Sequence, residues 1–110
     1  MSNPIKQVRD LIEPYFSKQT PIHQLIRNNN ITDKDNRDTI VKLKYANGLA
    51  IKAIYRLAPN PLMDTPDITV TLHITRNQDI RTFEYTTPIT DNLENFSKHI
   101  TNDIVTILNN

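Results

Sequence analysis

The chain has no cysteine, no tryptophan and a single glycine, Gly48, among its 110 residues. Each scarcity removes chemistry. Without cysteine there is no disulfide, no thiol nucleophile, no thiolate zinc site and no iron–sulfur cluster. That fits a reducing compartment. Phosphate cradles of the P-loop and dinucleotide types need several glycines, so that backbone amides can approach the oxygens. One glycine excludes both motifs. Long apolar runs are also missing, so no segment is read as a bilayer span. Lys6, Arg9 and Asp10 interrupt the N-terminal stretch before a signal-peptide core could form. The expectation is one soluble, cytoplasmic domain over residues 1–110, without membrane contact.

What is present is ordinary for a globular chain: 37% hydrophobic and 23% charged residues, enough for one core without staples. Charge is unevenly spread. Residues 1–57 hold ten Lys/Arg against five Asp/Glu, and residues 58–110 hold three against seven. Such polarity can mark a partner-binding face. The bias toward Ile, Asn and Thr suits an AT-rich genome, that of a low-GC bacterium or one of its phages.

Asn3-Pro4 reads as a helix start, with Asn as cap and Pro at the first helical position. Ile5, Val8, Leu11, Ile12, Tyr15 and Phe16 follow at helical spacing. Pro14 interrupts them and predicts a kink or an end near Glu13. Thr20-Pro21 repeats the start signal, which predicts a short second helix with Ile22, Leu25 and Ile26 inward. Residues 27–38 show no periodicity and read as a loop.

Four alternating runs predict strands. Val41, Leu43 and Tyr45 alternate with Ile40, Lys42 and Lys44. Leu49, Ile51, Ala53, Tyr55 and Leu57 alternate with Ala50, Lys52, Ile54 and Arg56. Ile68, Val70, Leu72 and Ile74 alternate with Thr69, Thr71, His73 and Thr75. The fourth run, 80–86, sets Phe83 and Tyr85 on one face, and Ile80 out of phase suggests a bulge or late start. Asn47-Gly48 between the first two runs predicts a two-residue hairpin turn with positive φ. A second tight turn is expected at Asn77-Gln78. The proline-rich stretch 59–67 is a longer connection. A long C-terminal helix is expected from Thr87-Pro88 or Thr90, with Ile89, Leu93, Phe96, Ile100, Ile104, Ile107 and Leu108 as its apolar stripe.

These elements give an α+β fold of order α-α-β-β-β-β-α. It is a two-layer sandwich, a four-stranded antiparallel meander with all helices on one face. The other face then carries Lys42, Lys44, Lys52, Ile54, Arg56, Thr69, Thr71, His73, Thr75, Thr82 and Glu84.

Motifs for catalysis or metal binding are lacking. Residues 33–38 begin like a calcium loop, but Arg37 takes a ligand position, Asp38 replaces the turn glycine and the twelfth position is Lys44. His23, His73 and His99 are not at metal-ligand spacing, with His23 and His99 on helices and His73 on a strand. Ser2, Ser17 and Ser97 lack a nucleophile-elbow context. No cofactor is expected.

The reading is therefore a non-enzymatic protein-interaction module, an accessory or adaptor protein of phage or mobile-element type. It acts on a protein partner or on itself through the open sheet face or an edge strand, with Lys42, Lys44, Lys52, Ile54 and Arg56 as contact residues. The alternative is nucleic-acid binding through the basic hairpin of Lys42, Lys44, Lys52 and Arg56. Against it, the phasing puts every tyrosine and phenylalanine on inward faces, leaving no aromatic for base stacking.

Overall fold

The computed structural model describes residues 4–19, 21–30 and 37–109, with backbone only at 23, 25–30, 37 and 38. It is an α+β fold. The element order is α1 (Pro4–Phe16), β1 (His23–Asn30), β2 (Arg37–Lys44), β3 (Leu49–Ala58), β4 (Asp67–Arg76), β5 (Asp79–Pro88) and α2 (Leu93–Asn109). The strands form one antiparallel sheet in chain order, β1-β2-β3-β4-β5.

The sheet therefore has five strands, and the expected short second helix does not form. Ile22 is 69% exposed rather than inward, and its amide donates to the Lys44 carbonyl at 2.7 Å, opening the pairing of β1 with β2. His23, expected on a helix, pairs with Lys44 on a strand. Part of the expected loop is also strand: 27–30 end β1 and 37–38 begin β2. Asn3, Thr20 and the calcium-like segment 33–36 lie outside the described residues.

Alternation works as the sequence predicts in the central strands. Val41, Leu43, Leu49, Ile51, Ala53, Tyr55, Ile68, Val70, Leu72 and Ile74 are buried, and the intervening Ala50, Lys52 and Ile54 are half-buried. The buried set forms one core with Ile5, Val8, Ile12 and Phe16 of α1 and Leu93, Ile100, Ile104 and Leu108 of α2. Both helices thus cover the same face of the sheet, where α1 meets β3 and α2 meets β5.

Helix α1 does not stop near Glu13 but continues through Pro14 to Phe16. Pro14 falls in the last turn, where its missing N–H forfeits a single bond near the helix end. The Tyr45 hydroxyl then caps that end, donating to the Phe16 carbonyl at 2.8 Å. Helix α2 starts later than the Thr87-Pro88 or Thr90 signals suggest, because residues 87 and 88 complete β5. Its cap is Asn92, whose side-chain oxygen accepts the Asn95 amide at 3.0 Å. The α2 stripe also buries Ser97 and Thr101. Their hydroxyls donate to the Leu93 and Lys98 carbonyls within the helix, so small residues can face α1 without an unsatisfied group. At the far end, Arg76 donates to the Ile107 carbonyl at 2.8 Å and Gln19 donates to the Leu108 carbonyl. Leu11 and Tyr15 share a groove with Glu94, Ser97, Lys98 and Thr101, while Gln19 reaches Leu108, so α1 and α2 run in the same direction.

Gly48 has φ of +80°. The turn it closes is longer than the expected two residues. The Tyr45 amide donates to the Leu49 carbonyl at 2.8 Å, enclosing Ala46, Asn47 and Gly48. Asn47 is not at positive φ, and its side-chain oxygen accepts the Leu49 amide at 3.3 Å. A three-residue hairpin loop needs only its last residue left-handed. The β4–β5 turn is the tight Asn77-Gln78 pair, with Asn77 at φ of 58°. Strand β5 pairs with β4 residue for residue, so there is no bulge at Ile80, which is 70% exposed at a regular position opposite Thr75.

Candidate functional site

Antiparallel strands set directly opposed residues on the same face. The register therefore lays out the open face row by row. Lys42 stands opposite Lys52, Lys52 opposite His73, and His73 opposite Thr82. The next row runs Ile40, Ile54, Thr71, Glu84. On one side of this pair of rows lie Lys44, Ala50, Thr75 and Ile80, and on the other lie Arg56, Thr69 and Thr86. Strand spacing makes the Lys42–Lys52–His73 row about 10 Å wide. All five residues expected from the sequence, Lys42, Lys44, Lys52, Ile54 and Arg56, are brought onto one face of two adjacent strands.

The electrostatics of this face are one-sided. Lys42, Lys44 and Arg56 are exposed and Lys52 is half-buried. Lys42, Lys44 and Lys52 have no ion-pair partner among the described residues. Among the described side chains, the acid nearest the centre is Glu84, on β5. Asp67, at the end of β4, is held by the Asn60 amide at 3.3 Å. Placing Lys42 against Lys52 is unfavourable for the isolated sheet, since like charges directly opposed across a strand pair are destabilising.

Two further members of the face were not among the expected contact residues. Ile40 is half-buried beside Ile54, which turns one exposed apolar residue into a cross-strand pair. Its phase, shared with Lys42 and Lys44, was the available signal, and the neighbour came only with the register. His73 sits beside Lys52 with its Nδ1 3.1 Å from the Thr82 hydroxyl. No tyrosine or phenylalanine occupies this face among the described residues. Tyr45, Tyr55, Phe83 and Tyr85 belong to the helix side, and Tyr15 is partly exposed on α1.

Elsewhere the chemistry is quiet. A recess of about 200 Å³ opens between the β4–β5 end and α2, lined by Ile74, Arg76, Asp79, Arg81, Phe83 and Ile107. Neither it nor the groove between the helices adjoins the basic rows. Among the described residues no three His, Asp or Glu side chains could hold a metal ion. The Ser97 hydroxyl is buried and bonded to its own helix. No described helix is long and apolar enough to cross a membrane.

No family model, curated protein or solved structure matches this chain. The functional reading therefore rests on the geometry alone.

Proposed function

We propose that this chain is a non-enzymatic protein-interaction module whose open sheet face binds an acidic partner protein. The observation that supports it is the Lys42–Lys52 opposition beside the Ile40–Ile54 pair. A fold selected only for stability gains nothing from two opposed lysines at the middle of a sheet. A partner presenting carboxylates around an apolar side chain would relieve that repulsion and cover the isoleucines. Such an arrangement gives specificity and fast association. The same charges disfavour two copies meeting face to face, so self-association belongs to an edge strand.

The four cations also favour a second reading, phosphate contact with nucleic acid. Without aromatics on the face, that binding would be electrostatic and indifferent to sequence.

Recovery of partners from the native host with wild type, Ile54→Asp and the triple variant Lys42→Glu, Lys44→Glu, Lys52→Glu separates the two. A protein held by wild type and lost by both variants supports the first reading. Retention by both variants removes it. Nucleic-acid binding that falls steeply with salt, survives Ile54→Asp and vanishes in the triple variant would establish the second.

A further inference from the structure

Strand β5 ends the sheet, and no described element pairs with its outer edge. Natural edges are guarded by bulges, lysines, prolines or shortness. β5 has ten residues, no bulge, no lysine, and no proline before Pro88, and its charges are limited to Asp79, Arg81 and Glu84. It is rich in strand-forming residues, with Thr82, Phe83, Tyr85, Thr86 and Thr87. Its outward N–H and C=O groups are a template for one more strand.

The pattern of side chains indicates which strand. Two copies related by a two-fold axis normal to the sheet pair antiparallel, and the residue on the axis sets every other pairing. An axis at Arg81 opposes Arg81 to itself, and an axis at Glu84 opposes Glu84 to itself. Both place like charges together. An axis at Thr82 pairs only residues 79–85, and one at Tyr85 only 82–88. An axis at Phe83 pairs residues 79–87, the longest overlap that opposes no like charges. It sets Phe83 against Phe83, an aromatic pair, and Arg81 against Tyr85, a cation–π pair.

We propose that the chain forms a two-fold dimer by antiparallel pairing of β5 about Phe83, giving a continuous ten-stranded sheet. Because the axis is normal to the sheet, both basic faces point the same way. The β5 edge borders the acidic-partner face, but pairing there uses the edge backbone and does not depend on the basic rows of β2 and β3.

In this register Ile80 opposes Thr86 of the other copy, twice by symmetry. Both side chains are exposed in the single chain, so substitutions there leave the fold intact. Sedimentation equilibrium of wild type should show a concentration-dependent monomer–dimer equilibrium. Ile80→Lys with Thr86→Lys should weaken it about tenfold, from two opposed like-charge pairs. Ile80→Lys with Thr86→Glu should restore it. Circular dichroism should match in all three. A wild type that stays monomeric at millimolar concentration overturns the proposal. So does a dimer that responds alike to the two double variants.

Discussion

Gly48 and Asn77 touch across neighbouring hairpin turns. The Asn77 amide donates to the Gly48 carbonyl at 3.3 Å, and a Cβ at position 48 would stand 2.9 Å from the Asn77 side-chain oxygen. Gly48→Val meets two penalties: a left-handed φ that β-branched residues resist, and that contact. The expected loss is on the order of 1 kcal/mol or more, read from the denaturant midpoint. Adding Asn77→Gly should recover the contact part but not the φ cost at position 48, measured against Asn77→Gly alone, because glycine also eases the left-handed φ at position 77. An unchanged midpoint in Gly48→Val would contradict the left-handed turn.

Tyr45 and Tyr55 should respond differently to loss of their hydroxyls. Tyr45→Phe removes a buried bond to Phe16 and leaves a helix carbonyl unpaired, for about 1 kcal/mol or more. The Tyr55 hydroxyl is buried without a hydrogen-bond partner among the described residues. Tyr55→Phe should therefore be neutral or stabilising in chemical denaturation.

Burial pushes the Tyr45 phenol up from 10.0 to about 12. It also raises Tyr55, helped by Glu13, and Tyr85, helped by its bond to Asp103. The fold thus favours the neutral phenols, while the unfolded chain ionises near pH 10. Stability should be insensitive to this term below about pH 10 and fall as pH rises from there toward about 12. Tyr45→Phe should show a shallower fall across that window. Equal slopes would mean Tyr45 does not contribute.

Lys52→Glu should stabilise the isolated chain by roughly 0.2–1 kcal/mol, since it replaces a repulsive cross-strand pair with an attractive one. The same variant should lose the acidic partner. A destabilised Lys52→Glu would show that the two lysines are kept apart by some other means.

Ile100 is fully buried, whereas Phe96 packs half-buried at the core margin. Ile100→Ala should cost about 2–5 kcal/mol in thermal or chemical unfolding. Phe96→Ala should stay below the roughly 3–5 kcal/mol of a fully enclosed aromatic. A larger loss at Phe96 than at Ile100 would reverse their assigned depths.

Most of the sheet was legible because burial on one face writes a period of two. Ile68 to Ile74 alternates without a break, and the structure buries every second residue there. β1 was not legible for the converse reason. Leu25 and Ile26 are adjacent, so a strand cannot set both on one face, and Asn28, Asn29 and Asn30 carry no apolar signal at all. An edge strand needs only one neighbour, and the pairing that makes it a strand lies in β2. Thr-Pro before it mimicked a helix start. The candidate site was half legible. Alternation put Lys42, Lys44, Lys52, Ile54 and Arg56 on one side, but that Lys42 faces Lys52 and Ile40 faces Ile54 depends on register. The three-residue turn at Ala46, Asn47 and Gly48 fixes that register, and local propensity does not distinguish it from a two-residue turn.

The shared direction of α1 and α2 has an electrical consequence. Each strand reverses the chain, so an odd number of strands returns the second helix parallel to the first, where an even number would oppose them. Peptide dipoles sum along a helix to about half a charge at each end. Here the two sums add instead of cancelling. Both carbonyl ends point to the edge of the sheet that holds Tyr45 and Arg76, and the guanidinium at Ile107 meets the negative pole there. Both amide ends point the opposite way, toward Asp91 and Glu94. The molecule is thus polarised along its helices, independently of the contrast between its basic sheet face and its helical side.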